Sequence, residues 1–270
     1  MVELPQRGAV VGCGVIGAAW AARMRLRGID VAAYDPSPNA SAVLDDVMAD
    51  AVSAWDALGL STDHVGSLTL YASIEEAVAD AGLIQESVPE RLDTKHSTLA
   101  AIDAVAPADA IIASSTSGYK PTDLATSMSR PDRLVVAHPF NPVYLLPLVE
   151  IVGGQQTSLG TIDRAMDTYR ALGMHPLHVR KEIDAFIADR LLEAVWREAL
   201  WLVNDGIATT EEIDDAIRYG FGLRWAQMGT FETYRIAGGE GGMRHFMEQF
   251  GPALKWPWTK LMDTPELTEE

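Results

Sequence analysis

One short segment near the start of the chain restricts its fold more than any other. It follows an apolar run typical of a β-strand and precedes a helical pattern, and its glycines have the spacing G-x-G-x-x-G. In that context the first glycine permits a tight turn, the second lets the backbone approach a pyrophosphate, and the third lets the helix pack closely on the strand. The first amides of the helix then face the phosphates. We therefore expect a dinucleotide-binding site at Gly12, Cys13, Gly14, Val15, Ile16 and Gly17.

The acidic residue Asp35 indicates which dinucleotide is bound. It ends the second predicted strand, where a carboxylate can accept hydrogen bonds from the adenine ribose diol and would repel a 2′-phosphate. Asp35 therefore favours NAD over NADP. The alternative interpretation is a glycine turn without a ligand, and the combination of strand, helix and acidic residue argues against it.

The first part of the chain alternates short apolar runs with longer helical patterns, which is typical of a doubly wound parallel sheet. The predicted strands cover residues 9–11, 31–34, 68–71, 83–86, 110–113, 134–138, 148–152 and 177–179. The predicted helices between them cover residues 17–27, 40–58, 94–106 and 158–172.

The pattern changes near Ile183, after which we find helical patterns only. Helices are predicted over residues 187–205 and 210–218, with weaker helical segments after Glu240. The predicted fold class is therefore α/β, with a Rossmann-type doubly wound sheet in residues 1–183 followed by an all-helical domain in residues 184–270.

A histidine and a glutamate twelve positions apart suggest a catalytic base. His138 ends one predicted strand, and the carboxyl ends of strands in an open α/β sheet are where ligands bind. Glu150 lies in the next strand between apolar neighbours, so its carboxylate needs a buried partner, for which an imidazole is the obvious candidate. Both residues could instead be purely structural: His138 as a partly buried histidine, and Glu150 as a strand residue paired with a surface lysine. Beside a nicotinamide, an oriented base implies alcohol oxidation.

The cluster Ser-Ser-Thr-Ser-Gly at residues 114–118 ends another predicted strand. The order of strands in the sheet would bring it toward the same crevice as His138. A hydroxyl there could hydrogen-bond a substrate alcohol. Serine and threonine after a strand are also common in turns, and the segment alone slightly favours the turn.

Composition excludes several other classes of protein. The net charge of −17 argues against a nucleic-acid partner, which needs clustered lysine and arginine. A single cysteine, Cys13, excludes a disulfide framework and a CxxC metal site, and we expect no metal. Because we find neither a signal peptide nor an uncharged apolar run of about 20 residues, we expect a cytoplasmic protein that is not bound to a membrane.

Five segments in order along the chain resemble the 3-hydroxyacyl-CoA dehydrogenase superfamily. They are the glycine segment at 12–17, Glu-Ser-Val-Pro-Glu-Arg at 86–91, the serine cluster at 114–118, His-Pro-Phe-Asn-Pro at 138–142 and Phe-Ile-Ala-Asp-Arg-Leu at 186–191. Longer runs at 138–150, 171–177, 212–220 and 223–231 are similar to those members of the superfamily that oxidise L-carnitine.

This resemblance implies a role for each matching residue. His138 would be the general acid/base, Glu150 its orienting carboxylate, and Ser117 the serine that contacts the substrate oxygen. Asn141 would lie near substrate and nicotinamide. Glu90 and Lys95 would lie on the cofactor side. The implied reaction is removal of the 3-hydroxyl proton by His138 while a hydride moves to NAD⁺.

The sequence departs from the family pattern before and within the long predicted helix. The family's Pro-Gly-Phe is Asp184-Ala185-Phe186 here, and a family asparagine is replaced by Asp189. An aspartate cannot donate the hydrogen bonds of an amide, so a carbonyl-orienting role is in doubt. Asp189 could instead serve a cationic substrate, or simply pair with Arg190 or Lys181.

The implied substrate, carnitine, carries a trimethylammonium group with no N–H to donate, so aromatic faces, a carboxylate and shape must recognise it. Trp196, Trp225 and Phe231 are our candidates for this site, with Trp201 and Tyr234 as further aromatic residues, although each one taken singly would more often be packing. Arg224 or a serine hydroxyl could hold the substrate carboxylate.

Three other functions stay open at this stage. An L-3-hydroxyacyl-CoA substrate would need basic residues for the coenzyme phosphates, and the helical domain has few lysines beyond Lys255 and Lys260. L-Gulonate 3-dehydrogenase and a non-catalytic, crystallin-like NADH-binding protein have related folds. The resemblance also implies a homodimer, and a C-terminus that is shortened relative to the family.

Overall fold

Eight strands form one mostly parallel sheet in the computed structural model of the protein, which describes residues 3–255 except for the side chains of Ala253 and Lys255. They are β1 (Arg7–Val11), β2 (Asp30–Tyr34), β3 (Leu68–Leu70), β4 (Leu83–Glu86), β5 (Ile111–Ser114), β6 (Leu134–Pro139), β7 (Leu148–Gly153) and β8 (His175–Val179). Their order in space is β3-β2-β1-β4-β5-β6-β7-β8. Strands β1 to β6 are parallel, β7 runs antiparallel to β6, and β8 is parallel to β7.

Six helices cover the two faces of this sheet: α1 (Val15–Leu26), α2 (Ala40–Ala57), α3 (Ile74–Val78), α4 (Leu92–Val105), α5 (Pro121–Ala125) and α6 (Leu159–Ala171). Successive strand residues point to opposite faces, so Val10 packs in the layer of α1, α2 and α6, while Ala9 and Val11 pack in the layer of α3, α4 and α5. Burial on both faces explains why the strands are continuous apolar runs.

The chain divides into two compact units between Ile187 and Ala188. The second unit, as far as residue 255, contains helices only: α7 (Ala188–Asn204), α8 (Thr210–Ala216), α9 (Gly222–Trp225), α10 (Thr230–Ala237) and α11 (Gly242–Phe250), with short 3₁₀ and π turns between them. Thr209 caps α8 through a reciprocal capping box with Glu212. None of these helices, nor any other in the described part of the chain, is long and apolar enough to span a membrane.

The structure confirms the predicted fold class and all eight predicted strands. Four of the described helices were not predicted, because α9 has only four residues, α3 and α5 have five each and α10 has eight, too few for a clear helical period. The domain boundary at 183 to 184 stays a prediction, and the division into units falls a few residues later. Lys260 and residues 256–270 of the predicted helical domain lie outside the described residues.

A buried ion pair fastens α4 to the turn before β6. Asp103 Oδ1 lies 2.8 Å from Arg133 Nη2, and both side chains are buried. The backbone amides of Ser129 and Arg130 donate to Asp103 Oδ2 at 2.7 and 3.1 Å. Burial alone would raise the pKa of the Asp103 carboxyl, but the hydrogen bonds from Arg133 and the two amides outweigh it and hold the pKa below its ordinary value.

Replacing Asp103 by alanine should lower the free energy of unfolding by about 3–5 kcal/mol at neutral pH, because it leaves the Arg133 guanidinium buried without its counter-ion. A carboxyl whose pKa is lower in the folded state stabilises the protein above its unfolded pKa of about 3.9, and that stabilisation is lost as the pH falls through the folded pKa. The difference from the parent chain should therefore shrink below about pH 4.

Urea unfolding of the parent chain and the Asp103→Ala variant at several pH values measures this difference. Asp109→Ala is the matched control, since Asp109 is exposed in the same part of the chain. A pH-independent difference between the parent chain and Asp103→Ala would contradict the assigned ion pair.

Candidate active site

A cavity of about 610 Å³ opens at the carboxyl ends of β1 and β2, next to β4. The strand order reverses between β1 and β4, and open α/β sheets bind ligands at such a switch point. The residues that face this cavity come from the glycine segment, from the end of β2 and from the loop after β4: among them are Gly12, Gly14, Val15, Ile16, Asp35 and Ser87. The structure therefore gathers the predicted cofactor residues of the glycine segment and Asp35 at one site.

The three glycines of the segment have different physical reasons to be glycine. Gly12 has φ +93°, and a Cβ there would lie 2.6 Å from the Ser87 carbonyl oxygen. A Cβ on Gly17 would lie 1.7 Å from the Gly12 oxygen. A Cβ on Gly14 would meet no atom within 4 Å. Gly12 and Gly17 are thus required by the fold itself, whereas the space beside Gly14 is open to a ligand.

Asp35 is held at the cavity wall by backbone amides. Its carboxylate accepts hydrogen bonds from Cys13 N and Ser37 N, both at 2.7 Å. Asp35 is partly exposed, so it can also accept bonds from a ligand. Burial, and to a lesser extent the charge of Asp35, raises the pKa of the Cys13 thiol to about 12, so Cys13 is a neutral packing residue of the segment at physiological pH.

A second cavity, of about 220 Å³, continues from the first, because Ile16, Ser87 and Val88 face both. Its other walls are Glu90, Lys95, Ser115 and Ser117. Three residues predicted from the family resemblance, Glu90, Lys95 and Ser117, therefore lie at the same cavity. A dinucleotide fits this arrangement, since the continuous space begins at Asp35, passes the open side of Gly14 and ends beside Ser117.

Lys95 is engaged in a buried clamp that the sequence did not predict. Its Nζ lies 2.9 Å from Glu86 Oε1, 3.2 Å from Glu90 Oε2 and 3.3 Å from the Val88 carbonyl oxygen. Glu86 is fully buried, and its second oxygen accepts a bond from the Ser114 hydroxyl. The three ammonium hydrogens of Lys95 therefore have three protein acceptors, so it fixes the loop after β4 as well as lining the cavity.

His138 and Glu150 form a buried pair across neighbouring strands. They are register partners on antiparallel β6 and β7, and His138 Nδ1 lies 2.9 Å from Glu150 Oε2. Glu150 Oε1 accepts a hydrogen bond from the Ile187 amide at 2.9 Å. An ionised carboxylate can only accept, so Nδ1 of a neutral imidazole must carry the hydrogen and Nε2 is left with a lone pair. The pair thus has the geometry of an oriented base.

Two phenylalanines pack around this imidazole. The rings of Phe140 and Phe186 have centroids 5.3 and 5.6 Å from that of His138. Phe186 is fully buried although it and Ala185 have left-handed backbone angles, φ +47° and +58°. Left-handed angles cost a residue with a Cβ roughly 1–2 kcal/mol, and burial of the Phe186 ring offsets this. Ala185 stands where the family has glycine, which needs no such compensation.

The remaining predicted site residues are exposed or partly exposed. Asn141 follows β6, is exposed and precedes a cis peptide bond to Pro142. In the helical unit Trp196, Arg224, Trp225 and Phe231 are exposed, with Phe231 at 83% and Trp196 at 56%. Asp189 lies in the first turn of α7, partly exposed. The Trp225 ring contacts Phe221 at 4.6 Å between centroids, an aromatic pair that spacing did not reveal.

Gln85 and Ser87 were not predicted as site residues, and Ser115 was predicted only as a member of the serine cluster at 114–118. Gln85 in the middle of an apolar strand was the one available signal, because a buried amide needs partners. We find no group of three or more histidine, cysteine, aspartate or glutamate residues arranged to hold a metal ion within residues 3–255.

Comparison with known families agrees with this geometry. Residues 8–183 match the family model described as 3-hydroxyacyl-CoA dehydrogenase, NAD binding domain, and residues 186–269 match the C-terminal domain of the same family. The chain therefore belongs to the 3-hydroxyacyl-CoA dehydrogenase family and is an NAD-dependent dehydrogenase. The family resemblance and the cofactor NAD predicted from the sequence are confirmed.

Within this family, the chain is similar to proteins named for one substrate. An L-carnitine dehydrogenase of Mesorhizobium japonicum is 62% identical over all of this chain and 74% of that protein. An L-carnitine dehydrogenase/betainyl-CoA thioesterase of Agrobacterium fabrum is 61% identical over 97% of this chain, which spans 54% of that protein. A solved structure of 5-formyl-3-hydroxy-2-methylpyridine 4-carboxylic acid 5-dehydrogenase, an NAD⁺-dependent dismutase, is 31% identical, covers 92% of this chain and 80% of its own, and has a TM-score of 0.84.

The different surroundings of Gly14 and Gly17 predict opposite consequences for the same substitution. Gly14→Ala should leave the thermal unfolding temperature unchanged but weaken NADH binding about tenfold or more, because the new methyl enters the open space at the phosphates. Gly17→Ala should destabilise the protein severely, because its Cβ would overlap the Gly12 oxygen. Differential scanning fluorimetry and fluorescence titration with NADH measure the two effects. Equal destabilisation by both variants would disprove the distinction.

Proposed function

We propose that this protein oxidises the 3-hydroxyl of L-carnitine to 3-dehydrocarnitine with NAD⁺, using His138 as general base oriented by Glu150. The observation that supports this most directly is the buried His138–Glu150 pair at the carboxyl end of the sheet, in a chain 62% identical to an L-carnitine dehydrogenase. The pair would provide a base for the oxidation of a secondary alcohol, and the names of the relatives indicate L-carnitine as that alcohol.

The proton would be taken by His138 Nε2. Glu150 holds Nδ1 and thereby fixes the ring orientation and the tautomer in which Nε2 carries no hydrogen. When Nε2 accepts the hydroxyl proton, the same carboxylate stabilises the imidazolium. The glycine segment and Asp35 would hold NAD⁺, which would supply the hydride acceptor for the carbon that carries the hydroxyl. The rings of Phe140 and Phe186 exclude water from the sides of the imidazole and restrict its rotation.

We propose that the other predicted site residues contact the substrate or the nicotinamide. Ser117, exposed at the second cavity, would hydrogen-bond the substrate oxygen, and Asn141 would lie near substrate and nicotinamide. The trimethylammonium group would be recognised in the helical unit by the carboxylate of Asp189 and by the aromatic residues Trp196, Trp225 and Phe231. Arg224, which is exposed, is a candidate partner for the substrate carboxylate.

Absorbance of NADH at mildly alkaline pH, followed with NAD⁺ and each of four candidate substrates, tests the proposal. The substrates are L-carnitine, D-carnitine, L-gulonate and L-3-hydroxybutyryl-CoA, and we expect turnover with L-carnitine. His138→Asn should lower kcat by about 10²–10⁴, the usual worth of general-base assistance, with NADH affinity unchanged. His175→Asn is the matched control, because His175 is exposed at the start of β8.

A second variant tests whether the orientation of the His138 ring matters when the imidazole itself is still present. Glu150→Gln keeps the acceptor for the Ile187 amide but turns an NH₂ group toward His138 Nδ1, which moves the ring hydrogen to Nε2. It should lower kcat nearly as much as His138→Asn while the KM for NAD⁺ changes little. Turnover with the coenzyme A ester alone would refute the carnitine assignment and retain the mechanism. NADH binding without turnover of any of the four would favour the non-catalytic alternative.

We also propose that the protein acts as a homodimer formed through the helical unit, in the cytoplasm. Helix α7 has no buried residue, and its apolar side chains Leu191 and Leu192 are 64% and 58% exposed. An apolar surface of this kind is typical of an interface. The cytoplasmic location follows from the need for diffusible NAD⁺.

Sedimentation velocity should therefore show a dimer for the parent chain. Replacing Leu191 and Leu192 together by aspartate should give a monomer that still binds NADH, because the cofactor residues all lie in the first unit. Arg190→Asp, a charge change at an exposed position of the same helix, is the control and should remain a dimer. A parent chain that sediments as a monomer at micromolar concentration would contradict the proposal.

A further inference from the structure

A chain of buried hydrogen bonds runs from α6 to the floor of the second cavity. The Tyr169 hydroxyl donates to Gln85 Oε1 at 2.6 Å, and Gln85 Nε2 lies 2.8 Å from Ser115 Oγ. Ser115 Oγ lies 2.8 Å from Ser87 Oγ. Tyr169 and Gln85 are fully buried, whereas both serines face the cavity. Neither Tyr169 nor Gln85 has a role in the proton transfer described above.

The Ala137 carbonyl determines which way the Gln85 amide points. This oxygen lies 3.4 Å from Gln85 Nε2 and can only accept a hydrogen bond. The NH₂ group must therefore face Ala137 and Ser115, and the amide oxygen must face Tyr169. Tyr169 is consequently the donor of its bond to Gln85, and burial, which raises the pKa of its phenol, keeps that proton in place.

The number of hydroxyl hydrogens on Ser87 and Ser115 determines whether this serine pair offers a donor or an acceptor to the cavity. Ser115 Oγ accepts from Gln85, so neither serine needs to donate to the amide. The pair has two hydroxyl hydrogens, and one of them makes the bond between Ser87 and Ser115 in whichever direction it runs. The other is left to point into the cavity. This hydrogen-bond relay of Tyr169, Gln85, Ser115 and Ser87 thus leaves one O–H donor that points into the second cavity, whose walls belong to the cofactor site.

We propose that Tyr169 and Gln85 are positioning residues for NAD binding, which direct a serine hydroxyl of the Ser87–Ser115 pair to donate a hydrogen bond to an acceptor oxygen of the bound dinucleotide. The acceptor belongs to the part of the dinucleotide beyond the adenosine, because Ser115 faces only the second cavity, whereas Asp35 faces only the first. Ser87 faces both.

Loss of the Tyr169 hydroxyl should reverse this arrangement. Gln85 Oε1 would then be a buried acceptor without its donor. The amide orientation would be held only by the bond to Ser115 and the long bond to the Ala137 carbonyl at 3.4 Å. A half-turn of the amide would place Oε1 opposite Ser115 Oγ, where the hydroxyl hydrogens of the serine pair are the nearest donors. A serine hydrogen drawn toward Gln85 is no longer available to the ligand. Tyr169→Phe should therefore weaken NADH binding without any change in the cavity wall itself.

Fluorescence titration with NADH on the full-length protein tests the proposal. Tyr169→Phe should raise the Kd for NADH about three- to tenfold, the equivalent of one ordinary hydrogen bond. The Kd for AMP, which lacks the rest of the dinucleotide, should stay unchanged. Gln85→Leu removes the donor that holds Ser115 Oγ in place. The serine hydroxyls then lose their fixed direction, so the Kd for NADH should rise by a similar factor, which covers the case in which Tyr169→Phe does not fold.

A double-mutant cycle distinguishes positioning from a general loss of stability. Ser115→Ala should weaken NADH binding by a similar factor, and adding Tyr169→Phe to it should produce no further change, since both remove the same bond. Trp20→Phe is the matched control: its ring packs on Tyr169 at 5.4 Å, and its Nε1 has no hydrogen-bond partner. It should lower the unfolding temperature with no change in the Kd for NADH.

The proposal is overturned by any of three results. These are an unchanged Kd for NADH in Tyr169→Phe, an equal loss of AMP and NADH affinity, and independent, multiplying effects of Tyr169→Phe and Ser115→Ala. None of these measurements uses carnitine, so they stand or fall separately from the choice of substrate.

Discussion

The carboxylate of Glu150 sets the constraint on which the active-site half of this structure depends. A charge enclosed by apolar strand residues is tolerated only if both of its oxygens find donors. Glu150 Oε2 lies beside the imidazole of His138, and Oε1 accepts from the amide of Ile187. The first contact fixes the orientation and tautomer of the imidazole. The second fixes the chain at the last residue before α7, and together with the burial of Phe186 it holds the left-handed backbone at Ala185 in place.

The cofactor side follows the same rule with different residues. Glu86 is buried at the end of β4 and its charge is matched by Lys95, so a lysine at the cavity is first of all a structural cation. The polar groups that remain available to a ligand are those whose hydrogens or lone pairs are not consumed inside the protein. Asp35, which is partly exposed, and the serine pair at the end of the hydrogen-bond relay meet that condition. A buried network thus decides which exposed atoms can bind.

The sequence was sufficient for the sheet and for the cofactor segment, because both rest on local patterns. Parallel strands buried on two faces are continuous apolar runs, and the glycine spacing marks a tight turn in which Gly17 packs on the Gly12 oxygen five residues away. It also placed His138 opposite Glu150, twelve residues apart. It could not reveal that Tyr169 reaches Gln85, since the two are 84 positions apart and a buried amide indicates a need for partners but not which residue meets it. The same holds for the three acceptors around Lys95, which depend on how a loop folds back. The start of β8 was missed because Pro176 interrupts the pattern, and an edge strand tolerates proline.

The antiparallel course of β7 has a consequence for how this active site can vary among related chains. His138 and Glu150 meet because they are register partners on adjacent strands, and side chains in a strand alternate between the two faces. The connecting loop, residues 140–147, can change in length without altering that register. A single residue inserted between Leu148 and Glu150 would turn the carboxylate to the opposite face of the sheet. Evolution can therefore remodel the loop between β6 and β7, but it must preserve the number of residues along β7 itself.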